Sequence, residues 1–383
     1  MTSTTVHPDV GLGRAAPLDT LRTILVAWII GGHALLGYSS VGGWAYDEVQ
    51  EVTLNGDVEL VLAAILGPTA LFLMGTFFLI AGLFTPPSLE RKGKRAFLRE
   101  RSLRLGLPFL VSALALWPAT MWVAYRSTGE RVTYGFLLAG RDRLVDSGGL
   151  WFAEVMLIFS VAYVLWVAFS GPRGASTYPL TLPRMLGLAA AITVITFLVR
   201  LRFDARGTQY LDLHVWQWPQ LLGMFALGIA AARHGLAHEV PPRLHRTAGW
   251  ITLTCAVGGP LAALAAGIDD LDADSGPFVG GWHLEALTLA SYEGLLVVFG
   301  SLWLLGFAQR RLRGRHPVWH RLRRSSFAAF ILQGPVLILL SVALRPVAVP
   351  AEAKALVVIV GGLAGCFTLG WLLVTRTRLG RIV

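Results

Sequence analysis

Charged side chains are scarce in this sequence. Asp, Glu, Lys and Arg make up 15% of its 383 residues, against about 25% in soluble domains. Hydrophobic residues make up 55%, and the mean hydropathy is +0.61. This balance excludes an ordinary soluble domain and indicates an integral membrane protein.

Cysteine is almost absent as well. Cys255 and Cys366 both lie inside apolar runs, which favours small core residues over a disulfide or a metal site. The sequence also lacks a phosphate-cradling glycine loop, a G-x-S-x-G turn and a His/Cys cluster with metal-ligand spacing. We therefore expect no bound metal and no permanently bound cofactor.

Long apolar runs dominate what is present. Ten of them are each close to the roughly 20 residues that a membrane-spanning helix needs. The expected fold class is all-α, a polytopic membrane bundle of about ten transmembrane helices. The runs cover approximately 20–40, 58–84, 105–125, 150–170, 182–200, 213–233, 247–267, 286–308, 327–345 and 353–375.

The net charge of +10 lies in the short loops between these runs, which argues against a nucleic-acid partner. The loops 85–104 and 309–326 each hold seven Arg or Lys, whereas 41–57 holds four carboxylates and no Arg or Lys. The positive-inside rule then predicts a multi-pass protein of the cell's inner membrane with both termini cytoplasmic. We expect one transmembrane domain over 19–376, with cytoplasmic tails at 1–18 and 377–383.

The first run, DTLRTILVAWIIGGHALLGY, contains Asp19, Arg22 and His33. A spacing of eleven is close to three helical turns, so Arg22 and His33 would leave one face, about 16 Å apart. With Arg22 at the cytoplasmic surface, His33 would lie near the middle of the bilayer, where an ionisable group marks a functional site. Alternatively, Asp19 and Arg22 form an end-of-helix pair and His33 is a buried hydrogen bonder.

Arg101 and Arg104 lie three residues apart at the expected cytoplasmic edge of the third span. Neighbouring guanidiniums on one helix face can bind a phosphate bidentately. In so basic a loop, the pair can equally be ordinary positive-inside charge.

Two carboxylates lie inside apolar spans near the other membrane surface. Glu154 follows Trp151, and Glu293 lies about two turns into the eighth span. Such groups usually face the interior of the bundle. They could orient a histidine, bind a sugar hydroxyl, or simply pair with Arg200 or Arg202. No role is assigned to the histidines of loops and span ends, which are His214, His234, His238, His245, His283, His316 and His320.

Several segments together resemble the membrane acyltransferase 3 family. APLDTLRTILVAWIIGGHALL is similar to its first helix, with an arginine, ten residues and then a histidine. FFLIAGLFTPPSLERKGKRAFLRERSLRLGLPFLV resembles the next segment, with its R-x-x-R pair at Arg101 and Arg104. Three later segments are also similar, in the same order: LWFAEVMLIFSVAYVLW, WPQLLGMFALGIAAARHGL and SSFAAFILQGPVLILL. One departure is Gln333, where the family often has a histidine.

The resemblance implies transfer of an acyl group, acetyl or another short acyl, from cytoplasmic acyl-CoA to a hydroxyl of a carbohydrate or cell-envelope acceptor. His33 would act as general base on that hydroxyl, or would carry the acyl group covalently. The predicted catalytic residues are His33, Arg22 and Glu293. The predicted donor-binding residues are Arg22, Arg101 and Arg104, and the predicted acceptor-binding residues are Asp19, Trp151 and Glu154.

Two other classes of function remain open at this point. A transporter or flippase of an amphiphile or a glycan would also suit ten spans with kinks and buried carboxylates. Such folds often contain inverted repeats, and the sequence has none that is visible. A non-catalytic scaffold for envelope assembly is the third hypothesis.

Overall fold

The computed structural model describes residues 12–141, 145–170, 180–205, 211–232, 239–265, 276–312 and 317–381, together with Leu236 and Gly267. Within these residues the chain forms helices and turns and contains no strand. The main helices are α1 (Leu12–Leu36), α2 (Gly56–Lys92), α3 (Lys94–Ser127), α4 (Trp151–Ser170), α5 (Leu182–Arg200), α6 (Trp218–Ala231), α7 (Pro242–Ala265), α8 (Leu284–Arg311), α9 (Pro317–Leu344) and α10 (Ala351–Arg376).

Nine helical segments of the described chain are long and apolar enough to cross a membrane. The one remaining expected span, 213–233, forms the shorter α6 of 14 residues, which is about 21 Å long. The helix is shortened at its start, because His214 has a left-handed backbone with φ 46° and Val215–Gln217 forms a 3₁₀ turn. The all-α polytopic bundle is therefore confirmed, with one short inner helix.

Two glycines allow α6 to pack closely against α2. A Cβ on Gly82 would overlap the carbonyl oxygen of Phe225, and a Cβ on Gly228 would overlap that of Leu79. Without side chains at these two positions the backbones approach directly, as small residues permit in membrane bundles. This close approach keeps α6 inside the bundle, where Leu221, Met224 and other residues of its inner face are buried.

The helix α3 begins at Lys94, earlier than the apolar run at 105–125 suggested, and therefore includes Arg101 and Arg104. Two π-helical turns interrupt it, at Ser102–Gly106 and Ser112–Leu116. Each ends two residues before a proline, Pro108 or Pro118. Proline lacks an N–H group and its ring crowds the preceding turn, so a locally wider turn lets the helix continue through it.

Two large hydrophobic cores lie among the described residues of the bundle, beside a small cluster of Leu89, Phe97 and Val164. The larger lies mainly among α2 and α4–α8, with Phe78, Met224 and Phe299 fully buried. The second joins α1, α3, α9 and α10 to the loop 37–55, around Ile30 and Ile338. The candidate site lies where the helices of these two cores meet. Of the expected tails, residues 1–11 and 382–383 lie outside the described residues, while α1 already begins at Leu12.

Candidate active site

A cavity of about 1260 Å³ opens at the end of the bundle that carries the basic loops. Asp19, Arg22, Arg101 and Arg104 all line it. The structure thus brings together the two arginine sites that the sequence singled out on different helices.

Each of the three arginines is held by a contact that leaves part of its guanidinium available. Arg22 donates to Asp19 Oδ1 at 3.1 Å, yet its side chain remains 33% exposed. Arg101 donates to Thr85 Oγ1 at 3.3 Å, and Arg104 lies 3.5 Å from Glu100 Oε1. Because a guanidinium has five N–H donors, each arginine keeps donors that can bind an anion in the cavity.

Further basic residues on the cavity wall were not singled out by the sequence. Among the residues that the structure describes, the lining contains seven Arg or Lys against two carboxylates, Asp19 and Glu100. The additional cations are Arg91, Lys92, Arg323 and Arg324. They belong to loops that the sequence explained as positive-inside charge, and no local signal distinguishes a cation facing a cavity from one facing solvent.

The inner end of the cavity is apolar. Val26, Met74 and Phe77 line it, together with Phe152 and Phe330. The last two rings pack edge to face with their centroids 4.8 Å apart. The cavity therefore changes from a cationic mouth to an aromatic inner end.

His33 lies beyond that inner end, in an aromatic cage. Its imidazole stacks on Trp44 at a centroid distance of 4.0 Å and an interplanar angle of 12°. Trp117 packs against Trp44 at 5.6 Å. Gln333 lies one helical turn beyond Phe330 on α9, which places the cage directly next to the inner end of the cavity.

Gln333 also determines which nitrogen of His33 is available. Its Oε1 lies 3.1 Å from His33 Nδ1. A carboxamide oxygen can accept but not donate, so this hydrogen bond requires the proton on Nδ1. The lone pair of Nε2 is then free to act as a base.

His33 lies three residues before the end of α1, closer to the end of the span that is opposite the basic loops than to its expected position at mid-bilayer. The loop 37–55 folds back over it and carries Trp44. Glu51 secures this loop through Lys354 Nζ at 2.6 Å, and Lys354 is buried. Burial opposes ionisation of Glu51, but its hydrogen bonds to Lys354 and Tyr46 hold the pKa of its carboxyl below the usual value. The contribution of Trp44 could not be predicted, because it depends on how this loop folds back.

Trp151 and Glu154 meet a cluster that the sequence did not reveal. Trp151 packs against His214 with centroids 4.4 Å apart. His214 Nε2 lies 3.1 Å from Asp212 Oδ1, and burial raises the pKa of the Asp212 carboxyl. Glu154 Oε2 is buried without a hydrogen-bond partner among the described residues.

The backbone of this cluster is strained. Leu211, Asp212 and His214 have φ values of 54°, 60° and 46°, a left-handed conformation that non-glycine residues adopt at a cost and often at functional sites. The segment 146–150 connects the cluster to the cage. Ser147 N donates to Asp212 Oδ2 at 3.0 Å, and Gly149 leaves space for the Gln333 side chain.

Glu293 is not part of the cage or of the cavity lining. It is buried and lies 2.8 Å from Arg200 Nη2 and 2.7 Å from Gln220 Nε2. Arg200 is buried as well and lies over the ring of Trp216 at 5.2 Å. The structure thus pairs Glu293 with Arg200, which was one of the alternatives for this carboxylate, and does not bring it to His33.

The comparison with protein families identifies the class of protein. Residues 16–375, nearly the whole chain, match a family model described as an acyltransferase domain. The chain belongs to this acyltransferase family. The resemblance seen in the sequence is thus confirmed, and the enzyme hypothesis is favoured over the transporter and the scaffold. The protein is a multi-pass membrane acyltransferase that transfers groups other than aminoacyl groups. Comparisons with curated proteins and with solved structures gave no match.

Proposed function

We propose that this acyltransferase moves a short acyl group from cytoplasmic acyl-CoA to a hydroxyl of a carbohydrate or another cell-envelope acceptor, in the cell's inner membrane. The observation that carries the proposal is the cavity, which leads from a cationic mouth to an apolar end next to the His33 cage.

The chemistry of the cavity suits an acyl-CoA. Its phosphate groups would bind at Arg22, Arg101 and Arg104 through charge-assisted hydrogen bonds, which are stronger than neutral ones. At about 1260 Å³ the cavity exceeds the roughly 300–1,000 Å³ of common ligand pockets, as a long cofactor-like substrate requires. The Phe152–Phe330 pair lies at its apolar inner end, next to the place proposed for the thioester, and the acyl group proposed there is a short one such as acetyl.

His33 supplies the base in this proposal. The acceptor hydroxyl gives its proton to Nε2 as its oxygen attacks the thioester carbon. Collapse of the tetrahedral intermediate breaks the C–S bond, and the proton passes from Nε2 to the departing thiolate. Arg22 lies eleven residues before His33 on α1 and lines the cavity, so its role in this proposal is to bind the donor. A covalent acyl-histidine is the alternative route, and trapping of labelled protein after acid quenching would reveal it.

The acceptor would bind on the opposite side of the cage. The Trp151 and His214 rings, which pack at a tilt, offer an apolar surface with polar edges, and Glu154 Oε2 offers an unused acceptor for a hydroxyl proton. Such groups suit a polyhydroxylated ligand, since each sugar hydroxyl needs a partner when it leaves water.

Turnover of ¹⁴C-acetyl-CoA by the purified protein in detergent tests the proposal. With a polyhydroxylated acceptor, or with water in its place, His33→Ala should lower the turnover about 10²- to 10⁴-fold, the usual contribution of a general base. His283→Ala is the matched control, because His283 is exposed at the start of α8 and distant in sequence from the cage. A His33→Ala protein that elutes as a folded species and retains near-normal turnover would contradict the assignment of the base.

A further inference from the structure

Three buried N–H groups of the His33 cage lack an acceptor. They are Gln333 Nε2, Trp44 Nε1 and Trp117 Nε1, and none has a hydrogen-bond partner among the described residues. The relative exposures of these residues are 1%, 7% and 2%. Buried polar groups are hydrogen-bonded in the great majority of cases, so three unsatisfied donors in one cage require an explanation.

These donors belong to side chains in mutual contact. Gln333 binds His33 through its other amide atom, Oε1. Trp44 stacks on the same imidazole, and Trp117 packs against Trp44. The excess of donors means that the cage is suited to an oxygen atom that carries partial or full negative charge.

We propose that Gln333, Trp44 and Trp117 form the oxyanion hole of this enzyme. The inference rests on the proposed function, in which His33 is the base in an acyl transfer. When the hydroxyl oxygen attacks the thioester carbon, the π electrons of the C=O bond move to the carbonyl oxygen. The three N–H groups would bind that oxygen until the C–S bond breaks and the C=O bond re-forms. Donors fixed in advance around such an oxygen stabilise the transition state without reorganisation.

Gln333 would then have two functions in one side chain. Its Oε1 holds the Nδ1 proton of His33, which leaves Nε2 as the base, and its Nε2 donates to the oxyanion. The missing side chain at Gly149 makes room for this amide, because a Cβ there would lie 2.8 Å from Gln333 Nε2.

Steady-state kinetics of acetyl-CoA cleavage, with water as the acceptor, give the first test. Gln333→Met keeps the length of the side chain and removes both hydrogen bonds, and it should lower kcat about 10²- to 10³-fold. Trp117→Phe removes one N–H group while keeping an aromatic ring, and it should lower kcat roughly tenfold. The KM for acetyl-CoA should change much less than kcat, because these hydrogen bonds are stronger to the oxyanion of the transition state than to the carbonyl oxygen of the bound thioester. Trp122→Phe, on the lipid-facing side of the same helix, is the matched control.

The infrared stretch of a ¹³C-labelled carbonyl in bound acetyl-CoA gives a second readout that a purely structural role would not change. In the unreactive His33→Ala protein, hydrogen bonds to this oxygen should shift the stretch to lower frequency than in water. Gln333→Met in that background should move it back towards the frequency of an unbonded carbonyl. An unshifted carbonyl, or a kcat within about twofold of the parent for both cage variants, would overturn the oxyanion hole and leave His33 as the base. Failure of the parent protein to bind acetyl-CoA would overturn the proposed function and this inference with it.

Discussion

At the scale of single residues, the buried polar groups of this protein fall into two kinds. Both carboxylate oxygens of Glu293 have partners, Arg200 Nη2 and Gln220 Nε2, although Arg200 Nε and Nη1 have no hydrogen-bond partner among the described residues. Gln333 and Glu154 each keep a buried polar atom without a partner among the described residues. A carboxylate whose two oxygens are both bonded within the fold indicates a structural role, whereas a buried carboxylate or amide atom next to the proposed reaction centre with no partner indicates a ligand that binds there.

This contrast predicts a structural role for Glu293. Glu293→Ala leaves the buried Arg200 charge unpaired, which typically costs about 3–5 kcal/mol. We expect a lower thermal unfolding midpoint in detergent, measured by intrinsic fluorescence. Glu285→Ala, an exposed carboxylate on the same helix, should leave the midpoint unchanged.

The sequence placed Glu293 among the catalytic residues, and the same variant can separate the two roles. If Glu293→Ala unfolds at the parental temperature but loses acetyl-CoA turnover, the catalytic role is supported and the structural one is contradicted.

At the scale of elements, α3 connects the basic loop to the cavity without a break. The helix already runs at Lys94, so Arg101 and Arg104 extend from ordered backbone rather than from a flexible loop. The π turn at Ser102–Gly106 begins directly after Arg101, contains Arg104 and widens the helix locally. Both arginines line the cavity, although the π turn makes their relative direction different from that in a regular α-helix.

Replacing these two arginines should weaken donor binding. The double variant Arg101→Ala with Arg104→Ala should raise the KM for acetyl-CoA at least tenfold, because each charge-assisted hydrogen bond contributes roughly 1.5–3 kcal/mol. The kcat at saturating donor should change little. Raising the salt concentration should weaken donor binding by the parent protein more than by the variant.

The matched control for this element is Arg95→Ala with Arg99→Ala. Both residues are exposed on the same helix, and neither lines the cavity. The control removes the same charge from the same loop. If both double variants raise the KM equally, the effect is one of general positive charge and not of a binding site.

At the scale of the whole molecule, charge is distributed unequally between the two ends of the bundle. The cavity with its seven Arg or Lys opens at one end. Near the other end lie carboxylates such as Glu48 and Asp146, both paired with Arg141. This polarity predicts that the cavity faces the cytoplasm, where acyl-CoA is available, and that the acceptor cluster faces the opposite side.

Cysteine labelling of intact cells can test the orientation. In a variant with Cys255 and Cys366 replaced by alanine, Glu130→Cys should react with a membrane-impermeant maleimide. Arg95→Cys should react after permeabilisation of the membrane and not before. Glu130 is exposed in a loop, and Arg95 is exposed at the start of α3. The reverse pattern would contradict the predicted topology and the cytoplasmic origin of the donor.

The fold class and the first helix were predictable because they depend on local properties. The transfer free energy of about 20 consecutive residues decides whether a segment spans a membrane, so nine spans follow from hydropathy. The length of α6 was not predictable, because a left-handed residue and a 3₁₀ turn shorten it. Likewise, the distance along α1 between Arg22 and His33 follows from helix geometry alone.

The composition of the site was decided by the tertiary structure. Gln333 is 300 residues from His33 along the chain, and Trp44 reaches the imidazole because a separate loop folds back over α1. The pairing of Glu293 with Arg200 likewise depends on how α5 and α8 pack. The sequence determined membrane insertion, helix order, charge asymmetry and the spacing of Arg22 and His33. Each depends on residues close together in the chain: on their summed transfer free energy, on their summed charge, or on the helical rise between them. Helix packing determined which polar groups are satisfied and which remain free for chemistry, because that depends on contacts between distant segments.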